Sequence, residues 1–556
     1  MKRKNAQSAR SRNVAAFLAL AAVAVLAVAW WPSQQAAAAQ AAKAVSAESF
    51  GCKDCNVVFI GITNVRADHM GVYGYGRNTT PNIDAFAKKS IVFDSAFASS
   101  SWTLPSSTSI LTSLYPMQHK LMNRGVFNTT ASAPIVIDPA TGAPLQVIPD
   151  VHPVVLDSNI TTLMDVLEAG NYTTAAFTGG FDFDPSYGVT SRFDVNMYAS
   201  NNDSATPLRM GIRKGNIEYG VFNYSSAAFT DWVSKNKGEK FFAYIQGFDA
   251  HCPFSYPTEN REFIGNLSSD YDFGRCYWTF DRADQVVIGN KTYYSLMTPY
   301  GDALQDNAAA VLPSQPQFLF SQEDVDYMVA LYDGEIKLVD GYVGEILAAL
   351  EREGLLNRTI VVIFSEHGDI FGKHGRFMRG GPLRGTFYDD VLRVPLIIYE
   401  PGIAPSVQRR SGLVETVDFA PTVLDILSIT APSQFMGASL KPVILSGTDV
   451  HDAVFAASKF LPSDNNAFYA NSTFIGAVRT KDRKLITEYV LNSTYATQKR
   501  ISDDYGALAA NTLDSSTELY DISSDPQELV NVASSKPDEA SALRQKLFSW
   551  LKTAEN

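Results

Sequence analysis

The stretch NVVFIGITNVRADHMGVYGYGRNTTPNIDAFAKKS, residues 56–90, with SSSWTLPSSTSILTSLYPMQH at 99–119, decides the fold. It opens on an unbroken apolar run (Val57, Val58, Phe59, Ile60, Ile62) that ends at Thr63 and Asn64. Apolar residues at every position, without alternation, mark a strand buried on both faces, as in a parallel sheet. Working outward, residues 174–177, 241–245, 360–364 and 394–399 read the same way. Helical spacing separates them at 83–89, 107–114, 160–169 and 225–235, and over 324–353, which stops at Gly354. Strands alternating with helices predict an α/β domain, a mostly parallel sheet with helices on both faces. From about residue 450 the pattern shifts to short antiparallel strands, 474–479 and 484–488, and a last helix at 537–552. The expected division is 1–47, 52–445, and a smaller α+β subdomain at 446–556. Residues 128–155 and 256–320, rich in Pro, Gly, Asn and aromatics, read as insertions shaping a binding surface.

Composition narrows the class. The 556 residues are 46% hydrophobic and 19% charged, with net charge -12, ordinary for a globular protein and contrary to a nucleic-acid binder. Lys2, Arg3, Lys4, Arg10 and Arg12 precede an apolar segment over 14–31, the pattern of a signal peptide or membrane anchor. A cleavage point is plausible after Ala47, and either alternative sends the rest of the chain out of the cytoplasm. The cysteines agree: Cys52, Cys55, Cys252 and Cys276 are an even set in an exported chain. Cys52-x-x-Cys55 lacks a thioredoxin-like context and further zinc ligands, so structural disulfides Cys52–Cys55 and Cys252–Cys276 are the preferred pairing of the three connectivities possible. N-x-S/T sequons recur from Asn78 to Asn492, as on a glycosylated surface, though abundant Asn, Ser and Thr would also produce them.

In an open parallel sheet, ligands bind beyond the carboxyl ends of the strands. Those ends carry Thr63 and Asn64; Ser365, Glu366 and His367; and Asp249 with His251. Thr103 opens a helix, whose N-terminus favours anions. A hydroxyl, an anion cradle, two histidines and a carboxylate suit an anionic ester. Each has a plainer reading: Thr63 and Asn64 can start a turn, Thr103 can cap its helix, Glu366 can pair with Arg384 or a lysine, and His119 and His374 can be packing residues. Asp68 and His69 lie past the strand end and read as structural.

The opening block, LYDGEIKLVDGYVGEILAALEREGLLNRTIVVIFSEHGDIFGKHG, FYDDVLRVPLIIYEPG, VETVDFAPTVLDIL and ELYDISSDPQELVNV, in this order, resemble the sulfatase family of the alkaline phosphatase superfamily. The resemblance spans 56–552 and implies an alkaline-phosphatase-like fold and sulfuric ester hydrolysis. It assigns Thr63, Asn64, Glu366 and His367 to a divalent cation, calcium by resemblance, and Thr103, His251, His367 and Arg384 to catalysis. The departures matter. The family's strand-end aspartates are Thr63 and Asn64 here, its Cys or Ser nucleophile is Thr103, and the motif's Arg is Ser107. Formylglycine is made from Cys or Ser, so none is expected, and a cation with Glu366 as sole carboxylate would be held weakly or not at all. Two readings emerge: an exported hydrolase of sulfuric or phosphoric esters using Thr103, acting on a sulfated or phosphorylated glycan or small molecule, or an inactive homologue that binds such an anion at the cell surface.

Overall fold

The computed structural model describes residues 50–554 except 124, 128–135, 138–143, 146–150, 200–220, 253, 255–261, 272–282, 289–290, 297–317, 378, 380–385, 404–407, 461–471 and 492–511. The central sheet holds β1 (Asn56–Ile62), β2 (Ile91–Phe97), β3 (Thr173–Gly179), β4 (Val195–Ala199), β5 (Phe241–Gly247), β6 (Thr359–Phe364), β7 (Arg393–Tyr399), β8 (Gln408–Arg410) and β9 (Val414–Glu415). Their order is β8-β2-β7-β6-β1-β5-β3-β4, with β9 also on β2. β1 runs parallel to β6 and β5 at the centre, and all its residues are buried. Val58, Ile60 and Ile62 enter one core with α4 (Phe222–Asn236) and α5 (Gln322–Arg352). On the other face Phe59 meets Phe242 and Phe364 edge-on, and Phe364 meets Phe419 of α6 (Phe419–Ile426). Both faces being covered is why the strand residues do not alternate.

Two expectations need correcting. The 394–399 run is not parallel: β7 is antiparallel to β6 and to β2. Apolarity reports burial, not direction, and among the described residues between β6 and β7 the helical pieces are only the short Lys373–Gly375 and Asp389–Leu392, not the long crossover that a parallel pair needs. β2 escaped notice because Asp94 and Ser95 interrupt its apolar run. The long helix α5 was legible: Ser321 caps it by accepting from the Asp324 N–H, and Gly354 follows it at φ 69°. Other helices of the main unit include α1 (Pro81–Ala87), α2 (Thr103–Thr112) and α3 (Leu163–Ala169).

A separate antiparallel sheet of β10 (Val454–Phe460), β11 (Ser472–Arg479), β12 (Arg483–Leu491) and β13 (Thr512–Asp521) comes next, packed against α7 (Pro537–Ala554) through Phe474, Leu485, Leu519, Leu547 and Leu551. The insertions are not structureless: Ala283–Ile288, Lys291–Leu296 and Phe318–Ser321 form a three-stranded antiparallel sheet, and Gly125–Phe127 pairs with Val151–Pro153. Cys52–Cys55 is a disulfide. Cys252 is also disulfide-bonded, and Cys276 lies outside the described residues. The sequon residues Asn78, Asn159, Asn171, Asn223, Asn266 and Asn357 are all exposed; the other sequons lie outside the described residues. Among the described residues no helix is long and apolar enough to cross a membrane, and residues 1–49 lie outside them.

Candidate active site

Register brings the candidates together. Gly61 pairs with Phe364 and Ile62 with Gly247, so β1, β6 and β5 end side by side. These strands lead directly into Thr63-Asn64, Ser365-Glu366-His367 and, beyond Gly247, Asp249 and His251. Thr103 is the first residue of α2, a helix buried at every position. Its N-cap is Trp102, which makes no side-chain cap, so the capping role open to Thr103 in the sequence is not the one it plays.

Thr103 is fully buried, and its hydroxyl lies 3.0 Å from His367 Nε2. His367 Nδ1 is 2.9 Å from the Gly368 carbonyl, an acceptor, so Nδ1 carries the hydrogen and Nε2 is free to accept from Thr103. Burial and the neighbouring Arg379 charge hold the His367 pKa well below its usual range, so the imidazole stays neutral. Both ring nitrogens are thus engaged by protein atoms. Gly368 makes the turn possible, since a Cβ there would lie 2.3 Å from the Asp390 carbonyl oxygen.

Glu366 contrasts with this pair. Its side chain is fully buried and neither carboxylate oxygen has a hydrogen-bond partner within bonding geometry. Burial pushes it up to about 7, opposed by nearby Thr63, Arg379 and Thr103. It does not pair with Lys, and Arg384 lies outside the described residues. Thr63 Oγ1 accepts from Gln246 Nε2 at 2.7 Å, and Gln246 in turn accepts from the Tyr244 hydroxyl. This leaves the Thr63 hydroxyl hydrogen free to serve Glu366. Asn64, at φ 68°, donates Nδ2 to the Ala250 carbonyl at 2.9 Å and to Asp369 Oδ2 at 2.8 Å. Its Oδ1 is buried without a partner. Orphaned buried oxygens on Glu366 and Asn64 are hard donors of the kind calcium and magnesium take, so the residues fit a cation.

His251 Nδ1 faces the Cys252 carbonyl and its Nε2 accepts from Arg379 Nη2. Arg379 is buried and acts electrostatically on Glu366, His367 and Asp369. Sequence reasoning missed Arg379 and Asp369. RFMRGGPLRG offers further arginines, and the resemblance, which places a basic residue before the Tyr-Asp-Asp block, pointed to Arg384; Asp369 stood in plain view two residues after His367. Asp249 is no part of the site: its carboxylate accepts from the Val221 and Phe222 N–H groups at 3.2 and 2.9 Å and caps α4.

His119 and His69 are held by protein atoms. His119 Nδ1 accepts from the Leu121 N–H, Nε2 meets Ser109 Oγ at 3.1 Å, and burial lowers it to about 3. His69 bonds Asp333 at 2.7 Å, and Asp68 is held by Arg66. His374, Asp390 and Glu528 lie close enough to suggest a metal cluster. Asp390, however, is paired with Arg66 and Lys373, each at 2.6 Å, and Glu528 with Lys484 at 2.7 Å. Those cations already fill a metal's electrostatic role.

A family model described as Sulfatase matches residues 55–429, and one described as N-sulphoglucosamine sulphohydrolase, C-terminal, matches 372–555. Bos taurus arylsulfatase K is 25% identical over 405 residues, covering 71% of this chain and 68% of the relative. A protein solved in complex with its substrate D-glucosamine-2-N,6-O-disulfate superposes with TM-score 0.57 at 20% identity, covering 90% of this chain and 98% of its own. The phosphonate monoester hydrolase of Agrobacterium radiobacter also gives 0.57, at 18% identity, covering 90% and 96%.

Proposed function

The chain belongs to the sulfatase family, a family of sulfuric ester hydrolases, and from that premise we propose that it is an exported ester hydrolase using Thr103 as nucleophile. The observation that carries the proposal is the 3.0 Å contact between the Thr103 hydroxyl and the unprotonated nitrogen of His367. Thr103 Oγ1 attacks sulfur or phosphorus and its proton passes to His367 Nε2. The new Oγ1–S or Oγ1–P bond forms as the bond to the departing alcohol oxygen breaks, and that oxygen takes a proton from water. The hydroxide left behind takes the proton from His367; water then attacks the threonyl ester at sulfur or phosphorus, its proton passes to the now neutral His367, and His367 returns it to Thr103 Oγ1 as sulfate or phosphate leaves. Arg379, oriented by His251, faces the anion's outer oxygens and stabilises the charge that builds there. Glu366 and Asn64 would hold a divalent cation, which supplies further charge neutralisation when bound. Formylglycine has no place in this scheme, because Thr103 is neither Cys nor Ser.

Substrate class is supported by the relatives: one structural neighbour has a disulfated glucosamine as its substrate and another is a phosphonate monoester hydrolase. A sulfated or phosphorylated sugar, met outside the cytoplasm, is the substrate we propose. The neutral Thr63 and Asn64 favour the second reading, a binding protein without turnover. The test is a panel of aryl and sugar sulfates, phosphate monoesters and phosphodiesters, run on the wild type and Thr103→Ala. Turnover that disappears in Thr103→Ala supports the hydrolase. Saturable ligand binding with no turnover in the wild type replaces it with the binding protein.

A further inference from the structure

The cation reading leaves a deficit of charge, and the structure places a carboxylate where it can make that deficit good. Asn64 sits in the left-handed region at φ 68°, where asparagine is tolerated better than most residues. Its amide could be turned either way, but the surroundings decide. The two atoms facing Nδ2, the Ala250 carbonyl oxygen at 2.9 Å and Asp369 Oδ2 at 2.8 Å, are both acceptors. Only a nitrogen satisfies them, so the oxygen must face the other way, where it is buried and unpartnered. Asp369 is itself immobilised: it is fully buried, and its Oδ1 accepts from the Ile370 N–H at 2.8 Å.

We propose that Asp369 is a positioning residue of the cation site, fixing the Asn64 amide with its oxygen inward and lending that oxygen negative charge through the hydrogen bond. The inference rests on the reading that Glu366 and Asn64 hold a cation. A carboxylate accepting from one end of an amide polarises it, so that Oδ1 becomes a stronger donor than a neutral asparagine in water. This is the arrangement by which outer carboxylates orient and charge metal-bound groups. The negative charge absent from position 64 is thereby present one bond further out. It also explains why an aspartate at 64 would not be accommodated as the chain stands: two carboxylates would meet where amide and carboxylate now lie 2.8 Å apart.

The test is calorimetric titration of the full chain with calcium chloride and with magnesium chloride, read as dissociation constants rather than activity. Asp369→Asn keeps the shape and removes the charge, and should weaken binding about 10- to 100-fold. Asn64→Gly, which suits the local backbone and removes the oxygen, should weaken it at least as much. Asn64→Asp combined with Asp369→Asn moves the charge inward and should restore wild-type affinity or better. Asp369→Asn or Asn64→Gly binding as tightly as the wild type overturns the proposal and leaves the cation reading standing. A wild type that takes up neither ion at millimolar supply overturns both. Should Asp369→Asn fail to fold, the Asn64→Gly comparison and the double variant still decide it.

Discussion

Two buried, charged regions of this protein look alike by composition and differ in how their charges are matched. At the seam between the central sheet and the C-terminal subdomain, Lys484 is fully buried between Asp389 at 2.6 Å and Glu528 at 2.7 Å. Glu528 also accepts from the Asp389 N–H at 2.6 Å. Nearby, His451 bonds Asp418 at 2.9 Å, Tyr115 donates to Glu415 at 2.7 Å, and Tyr115 packs edge-on against Trp550 of α7. At the strand ends, Glu366 is equally buried, and the group against it is the neutral His367, whose Nε2 lies 3.5 Å from Oε1. Burial raises both Glu366 and Glu528, so a displaced pKa does not separate them. Partners do. A buried carboxylate with a lysine against it holds two pieces of the fold together, whereas one with no lysine or arginine bonded to it carries an uncompensated desolvation cost.

The largest effect should fall on chemistry. Thr103→Ala removes the attacking oxygen and should abolish turnover. His367→Ala should lower kcat by about 10²- to 10⁴-fold, with the melting temperature of each variant close to wild type. Unchanged kcat in His367→Ala would dissolve the pairing of Thr103 with His367.

Next comes the seam. Lys484→Met leaves Glu528 without its cation and Asp389 with only Arg479, at 3.4 Å, and should destabilise by about 3–5 kcal/mol in denaturant unfolding. A loss near zero would mean that the seam is no better matched than the strand ends.

A smaller effect is a slope with pH. His451 is raised from 6.5 to about 9, chiefly by its bond to Asp418 against the opposing pull of burial. A raised folded pKa gives stability that is fully present below 6.5 and is lost as pH rises through about 9. The raised Glu415 carboxyl acts in the same direction at lower pH. His451→Gln should flatten the decline of the melting temperature between pH 6.5 and 9. A variant that keeps the wild-type slope would leave His451 without that role.

The smallest expected change is the sharpest contrast with Lys484. Glu366→Gln should leave apo stability unchanged or slightly higher, because it removes an unpaired buried charge. A clear destabilisation would show that Glu366 is a structural group like those of the seam.

Legibility in the sequence tracks the physics of each part. The core strands and α5 were legible because burial on both faces and helical spacing are written in residue type. Strand direction was not, since β7 carries the same apolar signal whichever way it runs. Thr103, Asn64, Glu366, His367 and His251 could be singled out as candidates because strand ends and one helix start are positions that a sequence can locate. Asp369 and Arg379 reach the site through turns after β6, where position depends on loop path rather than periodicity. The pairing of Thr103 with His367 depends on atoms, and no spacing announces it.

The most direct measurement is to quench the enzyme during turnover of an activated sulfate or phosphate ester and map the modified peptide by mass spectrometry. A sulfo or phospho group should appear on Thr103 in the wild type, and on the serine in Thr103→Ser. Turnover with residue 103 unmodified throughout would rule out the threonyl ester and with it the nucleophile.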